Sequence, residues 1–495
     1  MRSLGRALTL GLLAVACRDA AVTAPVNPPG DPGAPEPTLT REFRGLWIAT
    51  VANIDFPSAA ALPAAQQRAE LIALLDLAQS LKLTAVILQV RAAGDALYPS
   101  PHEPWMASLG GAQGTDPGWD PLDVAVREAH ARGLELHAWF NPFRAGNASD
   151  TLRLHATHLA RRRPDLARVV RGSLWFDPGE AEVHDHALTV VRDVLTRYDV
   201  DAVHIDDFFY PYPTTGTPIP VPFPDSATYA RYTASTTSAL TLADWRRDNV
   251  NRFVQRLYRE VHAAKPHVKV GISPFGIWRP GNPAGITGLD AWRDIYADSR
   301  HWLQQGWLDY LAPQLYWSIA STGQSFPALH GWWISQNPTG RHIWPGLAAY
   351  RVADGTASAF SADEVTNQVG VVRLGRQNPG FVLYNASTMR RDRGGLTTLL
   401  RTSTTQNAAV SPSYPWLDPL PPDSPSLTVD GSTIRLTPGS AEEPAWWIIH
   451  TSVGTSWTQR TLPGSVRTVP QDGARQVRVR AADRAFNVSS PARWP

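Results

Sequence analysis

The sequence is poor in cysteine, with a single one, Cys17, in 495 residues. A lone cysteine excludes an internal disulfide. A strong charge of one sign is also missing, because 46 Lys and Arg residues face 44 Asp and Glu residues. Proteins that bind nucleic acids usually carry basic patches, so a nucleic-acid partner is not expected. The length of the chain fits one large α/β barrel followed by a small module.

The N-terminus predicts export. Arg2 and Arg6 precede an apolar run, Leu8 to Val15, that has the length of a signal peptide and is too short for a transmembrane helix. The run ends at Cys17 in a sequence that resembles a bacterial lipobox, which predicts lipidation of this cysteine. The alternative is an ordinary secretory signal with a chance cysteine. With lipidation, the protein would be a membrane-anchored lipoprotein of the cell envelope, facing the periplasm or the exterior.

Composition divides the chain into five segments. Proline is abundant, with 43 residues, and many of them lie in the linking stretches. The predicted segments are a signal peptide (1–17), a disordered tether (18–40), a long region of alternating strand and helix patterns (41–406), a Pro/Ser-rich linker (407–425) and a C-terminal β module (426–495). Short alternating strands in the last segment resemble the final hairpin of a fibronectin type III domain.

The central region alternates apolar strand patterns with helical patterns. The eight strand candidates are residues 45–51, 85–90, 134–140, 202–205, 268–273, 310–316, 342–348 and 380–384. Eight such alternations predict the α/β class, specifically a parallel (β/α)8 TIM barrel, with an all-β fibronectin type III-like domain after it. The active site of such a barrel lies at the carboxyl ends of the strands.

Two adjacent acids, Asp206 and Asp207, follow the fourth strand candidate. The apolar approach from Val200 to Ile205 is typical of a buried parallel strand. Successive strand residues point to opposite sides, so both acids reach one pocket only if the strand ends or bulges there. Paired carboxylates beside aromatic residues suggest acid/base catalysis on a sugar. The alternative is that one acid caps a helix and the other is solvated.

Polar and aromatic residues follow several other strands, and they are the candidate substrate-binding residues. Tryptophan is unusually frequent, with 19 residues against 14 Phe, which fits stacking on sugar faces or a large core. The candidates are Arg91, Asp95, Trp139, Asn141, Arg144, Tyr210, Gln314, Tyr316 and Trp317. Arg91 has the alternative of a structural ion pair, Asn141 that of a turn residue, and Trp139 that of a core residue.

A second catalytic carboxylate has few candidates in the sequence. Across strands five to eight no Asp or Glu lies directly at a strand end, so Asp55 and Asp177 are the reserve candidates beside Asp95. Asp177 has the alternative of capping the next helix. His184 and His186 lack the spacing of a helical metal site. No metal or other cofactor is predicted.

Four long motifs together resemble the glycosyl hydrolase-like 10 family, a group of exported bacterial (β/α)8 proteins. The motifs span residues 44–51, 89–95, 137–142 and 204–211, and the resemblance covers most of residues 41–400. It implies a glycoside hydrolase, and some members of the family cleave peptide-free peptidoglycan strands. The tether and the C-terminal module lie outside the resemblance.

This resemblance, with an analogy to hexosaminidases of families 20 and 84, implies a substrate-assisted mechanism. Asp206 would polarise the substrate acetamido group and Asp207 would be the general acid/base. Tyr316 or Asn141 would hold the acetamido carbonyl oxygen. The expected partner is a glycan, most of all the peptidoglycan backbone. The alternatives are a non-catalytic glycan-binding lipoprotein and a hydrolase of another exported polysaccharide.

Overall fold

A computed structural model describes residues 36–146, 151–213, 223–374, 376, 378–454 and 456–495. The predicted signal peptide, the lipidation site Cys17 and residues 18–35 of the predicted tether lie outside the described residues. In the part of the chain that is described, no helix is long and apolar enough to cross a membrane.

A parallel sheet of nine strands forms the centre of the molecule. In chain order the strands are β1 (Phe43–Ile48), β2 (Ala85–Arg91), β3 (Glu135–Phe140), β4 (Ala202–Ile205), β5 (Lys269–Ile272), β6 (Tyr310–Leu311), β7 (His342–Ile343), β8 (Gly346–Leu347) and β9 (Gly380–Leu383). Their pairing order is β7-β6-β5-β4-β3-β2-β1-β9-β8. The predicted parallel α/β sheet is confirmed.

The two strands at the ends of this order are consecutive pieces of one segment, so the sheet curls round towards itself. The predicted seventh strand is interrupted at Pro345, which has no N–H to donate to a ladder. On one side of the segment the Trp344 amide donates to the Leu311 carbonyl at 2.9 Å. On the other side the Pro345 carbonyl accepts from the Val382 amide at 3.0 Å. The segment thereby connects β6 with β9.

Helices cover the outside of the sheet. The longer ones are Ala64–Ser80, Pro121–Ala131, Ala181–Arg197, Ser226–Ala234, Leu242–Ala264, Phe326–Ser335 and Ala362–Arg373. The short ones are Ala107–Gly110, Leu159–Arg162, Ala291–Asp294, Ser299–Gln305, Ala386–Arg390 and Leu396–Leu399. Between residues 292 and 305 the chain ends one helix at Asp294, and Asp298 then caps the next by accepting from the His301 amide at 3.4 Å.

The interior of the sheet is filled by large aromatic rings that lie against glycines. Phe43 and Trp344 stack with ring centroids 4.0 Å apart. A Cβ added to Gly271 would overlap the ring of Tyr310, and one added to Gly346 would come within 2.8 Å of Trp47. Glycine is therefore required at these positions by the space that the rings occupy.

The C-terminal region forms two antiparallel sheets. One contains Ser426–Asp430, Thr433–Thr437 and Thr468–Pro470, and the other Trp446–Val453, Ser456–Pro463, Gln476–Ala482 and Ala492–Trp494. A third small sheet, which joins Arg144–Gly146, Ala167–Val170 and Ser173–Phe176, follows β3. The fibronectin type III-like assignment stays a prediction.

The segment predicted as a linker packs on the central sheet. Tyr414 is fully buried and lies edge-on to His342, with ring centroids 4.9 Å apart. Ser411 donates to Glu135 at 2.8 Å, and Glu135 also binds Lys269 at 2.5 Å. These contacts fix the start of the C-terminal region against the amino ends of β3 and β5.

A substitution that adds one methyl group at Gly271 tests how closely the Tyr310 ring packs against this residue. We expect Gly271→Ala to lower the free energy of unfolding by about 1–3 kcal/mol, the usual cost of overpacking. The control is Gly331→Ala on helix Phe326–Ser335, where an added Cβ meets nothing within 4 Å. Alanine there should stabilise by up to about 1 kcal/mol. Denaturant unfolding measures both, and an unchanged Gly271→Ala protein would contradict the packing argument.

Candidate active site

A cavity of about 370 Å³ lies at the carboxyl ends of the central strands. Its lining is aromatic and polar: Trp47, Val51, Ile54, Gln89, Trp139, Arg144, Asp206, Asp207, Phe208, Tyr212, Ser273, Phe275, Gln314, Tyr316 and Tyr384. Two of these residues are acids, and both belong to the pair singled out in the sequence. A concave aromatic site with a few converging polar groups is the usual form of a ligand site.

Both acids reach this cavity because β4 ends at Ile205, one residue before them. The chain beyond Ile205 is no longer extended, so alternation no longer sends the two side chains to opposite faces. Each acid is only 5% exposed. The cavity therefore contains two carboxyl groups that are largely removed from water.

The Asp206 carboxylate is held by nitrogen donors on both oxygens. Asn141 Nδ2 donates at 2.9 and 2.7 Å, and the indole N–H of Trp139 donates at 3.2 Å. The backbone N–H of Phe208 donates to Oδ1 at 3.2 Å. These donors leave Asp206 with a fixed orientation.

A chain of hydrogen bonds sets the orientation of the Asn141 amide. Gln89 Oε1 accepts from the backbone amides of Thr50 and Val51 at 3.0 and 2.9 Å. Gln89 must then present its NH₂ group to Asn141, whose Oδ1 accepts at 2.8 Å. Asn141 in turn has only its own NH₂ group to offer to Asp206. The backbone amides that follow β1 thus determine that Asn141 presents its NH₂ group, and not its oxygen, to Asp206.

Asp207 has fewer partners. The hydroxyl of Tyr212, five residues along the chain, donates to Asp207 Oδ2, and the Gln314 side chain also forms a hydrogen bond with this carboxyl. Burial, and next the charge of Asp207, raise the pKa of Asp206 to about 7. Burial also raises the pKa of Asp207, against the hydrogen bond from Tyr212. The pKa values of both acids therefore lie above the ordinary value of aspartic acid.

Two buried neighbouring carboxyls do not ionise together readily, so the pair holds one proton near neutral pH. Nitrogen donors favour the charged form of Asp206. The Tyr212 hydroxyl, by contrast, can donate to an ionised Asp207 or accept from a protonated one. The hydrogen bonds consequently favour a carboxylate at Asp206 and a proton on Asp207.

A buried polar layer lies below the cavity. The indole N–H of Trp47 donates to His204 Nε2 at 3.3 Å, so Nε2 is the unprotonated nitrogen and Nδ1 carries the proton. His204 Nδ1 then donates to the Tyr310 hydroxyl at 2.9 Å, and that hydroxyl donates to His137 Nδ1 at 2.8 Å. Burial lowers the pKa of His204 well below its ordinary value. His204 is therefore a neutral structural residue, which fixes Trp47 in the cavity wall.

A second cavity of about 270 Å³ adjoins the first. Both are lined by Phe275, Gln314 and Tyr316, and the second also by Trp317, Tyr350 and Arg351. Together they form a groove that runs past the acid pair.

The structure brings most of the predicted binding residues to this groove. Trp139, Arg144, Gln314 and Tyr316 line the first cavity and Trp317 the second, while Asn141 lies behind Asp206. Arg144 also lies over the Phe208 ring at 4.8 Å.

Three other predicted binding residues, Arg91, Asp95 and Tyr210, lie away from the groove. Arg91 forms a buried ion pair with Glu103 at 2.6 Å, which is the structural alternative considered for this residue. Asp95 accepts from the Ala93 amide at 2.9 Å. Tyr210 is 1% exposed and packs among other rings.

The reserve carboxylates also lie elsewhere. Asp55 accepts from the Ala49 and Ser387 amides at 2.8 and 2.7 Å, which ties the end of β1 to the last helices. Asp177 binds Arg168 at 2.7 Å and is fully buried. The N-cap of the helix after Asp177 is Glu180, so the predicted capping role of Asp177 is wrong. Over the described ranges, no cluster of three His, Cys, Asp or Glu side chains could hold a metal ion.

Sequence reasoning missed Gln89, Tyr212 and Trp47 as site residues. Gln89 and Trp47 lie inside apolar strands, where a polar or aromatic residue at an inward position was the available signal. Tyr212 follows the acid pair closely, but its contact with Asp207 depends on how the chain turns after β4.

A buried acid pair in an aromatic groove, at the carboxyl edge of a curled parallel sheet, defines the class of this protein as a glycoside hydrolase. The chain belongs to the glycosyl hydrolase-like 10 family, whose model matches residues 42–363.

Two curated relatives share most of the chain. Glycosyl hydrolase YngK of Bacillus subtilis is 38% identical over 446 residues, which cover 86% of this chain and 86% of the relative. Glycosyl hydrolase DigH of Escherichia coli K12 is 33% identical over 395 residues, covering 75% and 87%. Among solved structures, the glycoside hydrolase domain of PgaB (BpsB) from Bordetella bronchiseptica is a distant likeness, with 14% identity and a TM-score of 0.46 over 76% of this chain and 100% of that one.

The raised pKa of the acid pair predicts how stability depends on pH. The unfolded chain loses both aspartic protons near the ordinary pKa of 3.8, whereas the folded pair, in which the pKa of Asp206 is raised to about 7, keeps one shared proton towards neutral pH. The free energy of unfolding therefore gains from this proton at low pH and loses that gain as pH rises through this window. Asp207→Asn removes a neighbouring charge and a titrating group. Between about pH 4.5 and 7.5 we therefore expect the free energy of unfolding of this variant to fall less than that of the unmodified protein, by roughly 1 kcal/mol or more.

Denaturant unfolding at both pH values tests this expectation. Asp363→Asn, the same change at an exposed residue on helix Ala362–Arg373, is the matched control and should behave like the unmodified protein. An equal loss in the unmodified and Asp207→Asn proteins would show that the pair does not share a proton.

Proposed function

We propose that this protein is a glycoside hydrolase of the cell envelope that cleaves an N-acetylated glycan, namely the peptidoglycan backbone. The observation that carries the proposal is the unequal bonding of the two acids: Asp206 accepts from three nitrogen donors, whereas Asp207 is bound by the Tyr212 hydroxyl and the Gln314 side chain. Such environments separate the roles of two carboxyls in catalysis.

In the proposed first step, Asp207 gives its proton to the glycosidic oxygen that leaves. The acetamido oxygen of the same sugar attacks the anomeric carbon, and the electron pair of the broken C–O bond goes to the protonated leaving group. The Asp206 carboxylate accepts the acetamido N–H and stabilises the positive oxazolinium ion. Water then attacks the anomeric carbon, the bond from this carbon to the acetamido oxygen breaks with its electron pair returning to the acetamide, and the water proton goes to Asp207, which restores the acid.

The hydrogen bonds favour Tyr316 over Asn141 as the donor to the acetamido carbonyl. Asn141 already donates to Asp206 and accepts from Gln89, so its amide is occupied. Tyr316 lines both cavities, and its phenol has a pKa well above the ordinary value because of burial. Tyr316 therefore stays protonated and is the donor that we assign to the acetamido oxygen.

Aromatic walls fit a sugar substrate. Trp47 and Trp139 lie in the wall of the cavity, and Phe275 stands edge-on to Trp317 with centroids 5.6 Å apart. Rings of this kind bind the apolar faces of sugars while polar groups fix the hydroxyls. In the proposal, export and lipid anchoring at Cys17 bring the enzyme to the cell envelope, and a fibronectin type III-like module completes the chain.

Replacing the proposed acid should abolish turnover. We expect Asp207→Asn to reduce the rate on peptide-free peptidoglycan strands by roughly 10²–10⁴-fold, because general acid catalysis is lost. Affinity for the strands should stay nearly unchanged. Mass spectrometry of the products measures turnover, and Asp363→Asn is the matched control. Unchanged turnover in Asp207→Asn would remove this residue from the mechanism, while strand binding without products by the unmodified protein would indicate a glycan-binding protein.

The acetamido group should be essential for cleavage. Strands that are chemically de-N-acetylated lack the internal nucleophile, so we expect cleavage to fall by at least about 10²-fold relative to acetylated strands. Product yield from equal amounts of the two strands measures the difference. Equal cleavage of both would exclude substrate assistance and direct the search to another nucleophile.

A further inference from the structure

The second cavity has one charged side chain in its lining. Its six lining residues are Phe275, Gln314, Tyr316, Trp317, Tyr350 and Arg351. Four of them are aromatic, and one is a neutral amide. Arg351 alone among these residues carries a charge, so it decides the electrostatic character of this part of the groove.

The partners of Arg351 are all neutral. One terminal nitrogen donates to the Tyr316 carbonyl at 3.1 Å, and the other donates to the Ser358 carbonyl and hydroxyl at 2.8 Å each. The guanidinium lies over the Phe360 ring at 4.5 Å. A guanidinium has five N–H donors, so these three bonds leave donors available for a ligand. The Phe360 ring and the two carbonyls hold the group in place.

Within the described ranges, no carboxylate oxygen lies within 4.0 Å of the Arg351 nitrogens. Asp354 on the same loop interacts with Arg351 only over a longer distance, and its carboxylate accepts from Thr356 at 2.7 Å. Arg393 lies behind the loop, where it donates to the Tyr350 and Val352 carbonyls. Asp354 thus lies near two guanidinium groups, those of Arg351 and Arg393.

We propose that Arg351 is a specificity-determining residue that binds the carboxylate of an acidic sugar held in the second cavity. The inference rests on the proposed function, because it takes this cavity as the subsite next to the cleaved bond. An acidic sugar ring would lie on Tyr316 and Trp317, and its carboxylate would take the free donors of Arg351. Guanidinium groups bind carboxylates in this way, with strong charge-assisted hydrogen bonds.

The proposal narrows the substrate to glycans with a carboxylate on the sugar. In peptide-free peptidoglycan every second sugar is MurNAc, and its lactyl group carries this carboxylate. A neutral N-acetylglucosamine polymer has no such group and would leave the Arg351 donors without a partner. The same groove therefore should favour the acidic strand over the neutral one.

Binding to carboxylated and amidated strands tests the proposal. The ligands are peptide-free peptidoglycan strands and the same strands after their carboxylates are converted to amides. Calorimetry in the Asp207→Asn background gives the affinity without hydrolysis. We expect Arg351→Gln to weaken binding of the carboxylated strands by about tenfold or more and to change binding of the amidated strands by less than about twofold.

Arg393→Gln is the matched control. It removes the same charge from a residue behind the Arg351 loop and also breaks bonds to backbone carbonyls, but Arg393 does not line the cavity. We expect it to leave the ratio of the two affinities unchanged. Thermal unfolding of each variant shows whether the loop change disturbs the fold.

Three results would overturn the assignment of Arg351. One is equal weakening of both ligands by Arg351→Gln, which would indicate a purely structural role. The second is equal affinity of the Asp207→Asn background for both ligands, and the third is no binding of either. Because the measurement is binding, a failure of the unmodified protein to hydrolyse strands would overturn the proposed function alone.

Discussion

The site depends on how aromatic rings fill the interior of the central sheet against glycines. Gly271 leaves the space that the Tyr310 ring occupies, and the Tyr310 hydroxyl then joins His137 to His204. His204 in turn accepts the indole N–H of Trp47, a wall of the cavity. Interiors packed to this density transmit small changes, so the floor of the groove is set by residues that no substrate touches.

Above this floor, the protein maintains two buried carboxyls at a cost to its own stability. Nothing in the sequence forces two acids into a space where their pKa values rise, and a neutral pair would be easier to bury. Backbone amides at the end of β1 compensate through Gln89 and Asn141, which deliver donors to Asp206. Ionisable groups that are buried at a cost in folding stability are typical of catalytic sites, because such sites are not optimised for stability.

The groove is also asymmetric in charge. The acid pair lies in the first cavity, where Arg144 is the nearest cation, and Arg351 lies in the second. A chain of sugars that crosses both cavities would meet acid catalysis at one point and a positive charge at the next. Because aromatic faces bind any sugar, these charges are what can distinguish one glycan from another.

The sequence by itself determined the positions of the strands and the acid pair. Buried parallel strands appear as apolar runs, so eight strand candidates could be recognised locally, and the acids stood directly after one of them. Only the tertiary structure decided that Arg91 pairs with Glu103 while Arg351 faces a cavity, although Arg91 ends a strand and Arg351 follows one. The bonds from Gln89 to Asp206 and the interruption at Pro345 were decided in the same way. Hydrogen bonds and ion pairs between neighbouring strands join residues far apart in the chain, and no local pattern records which partner is met.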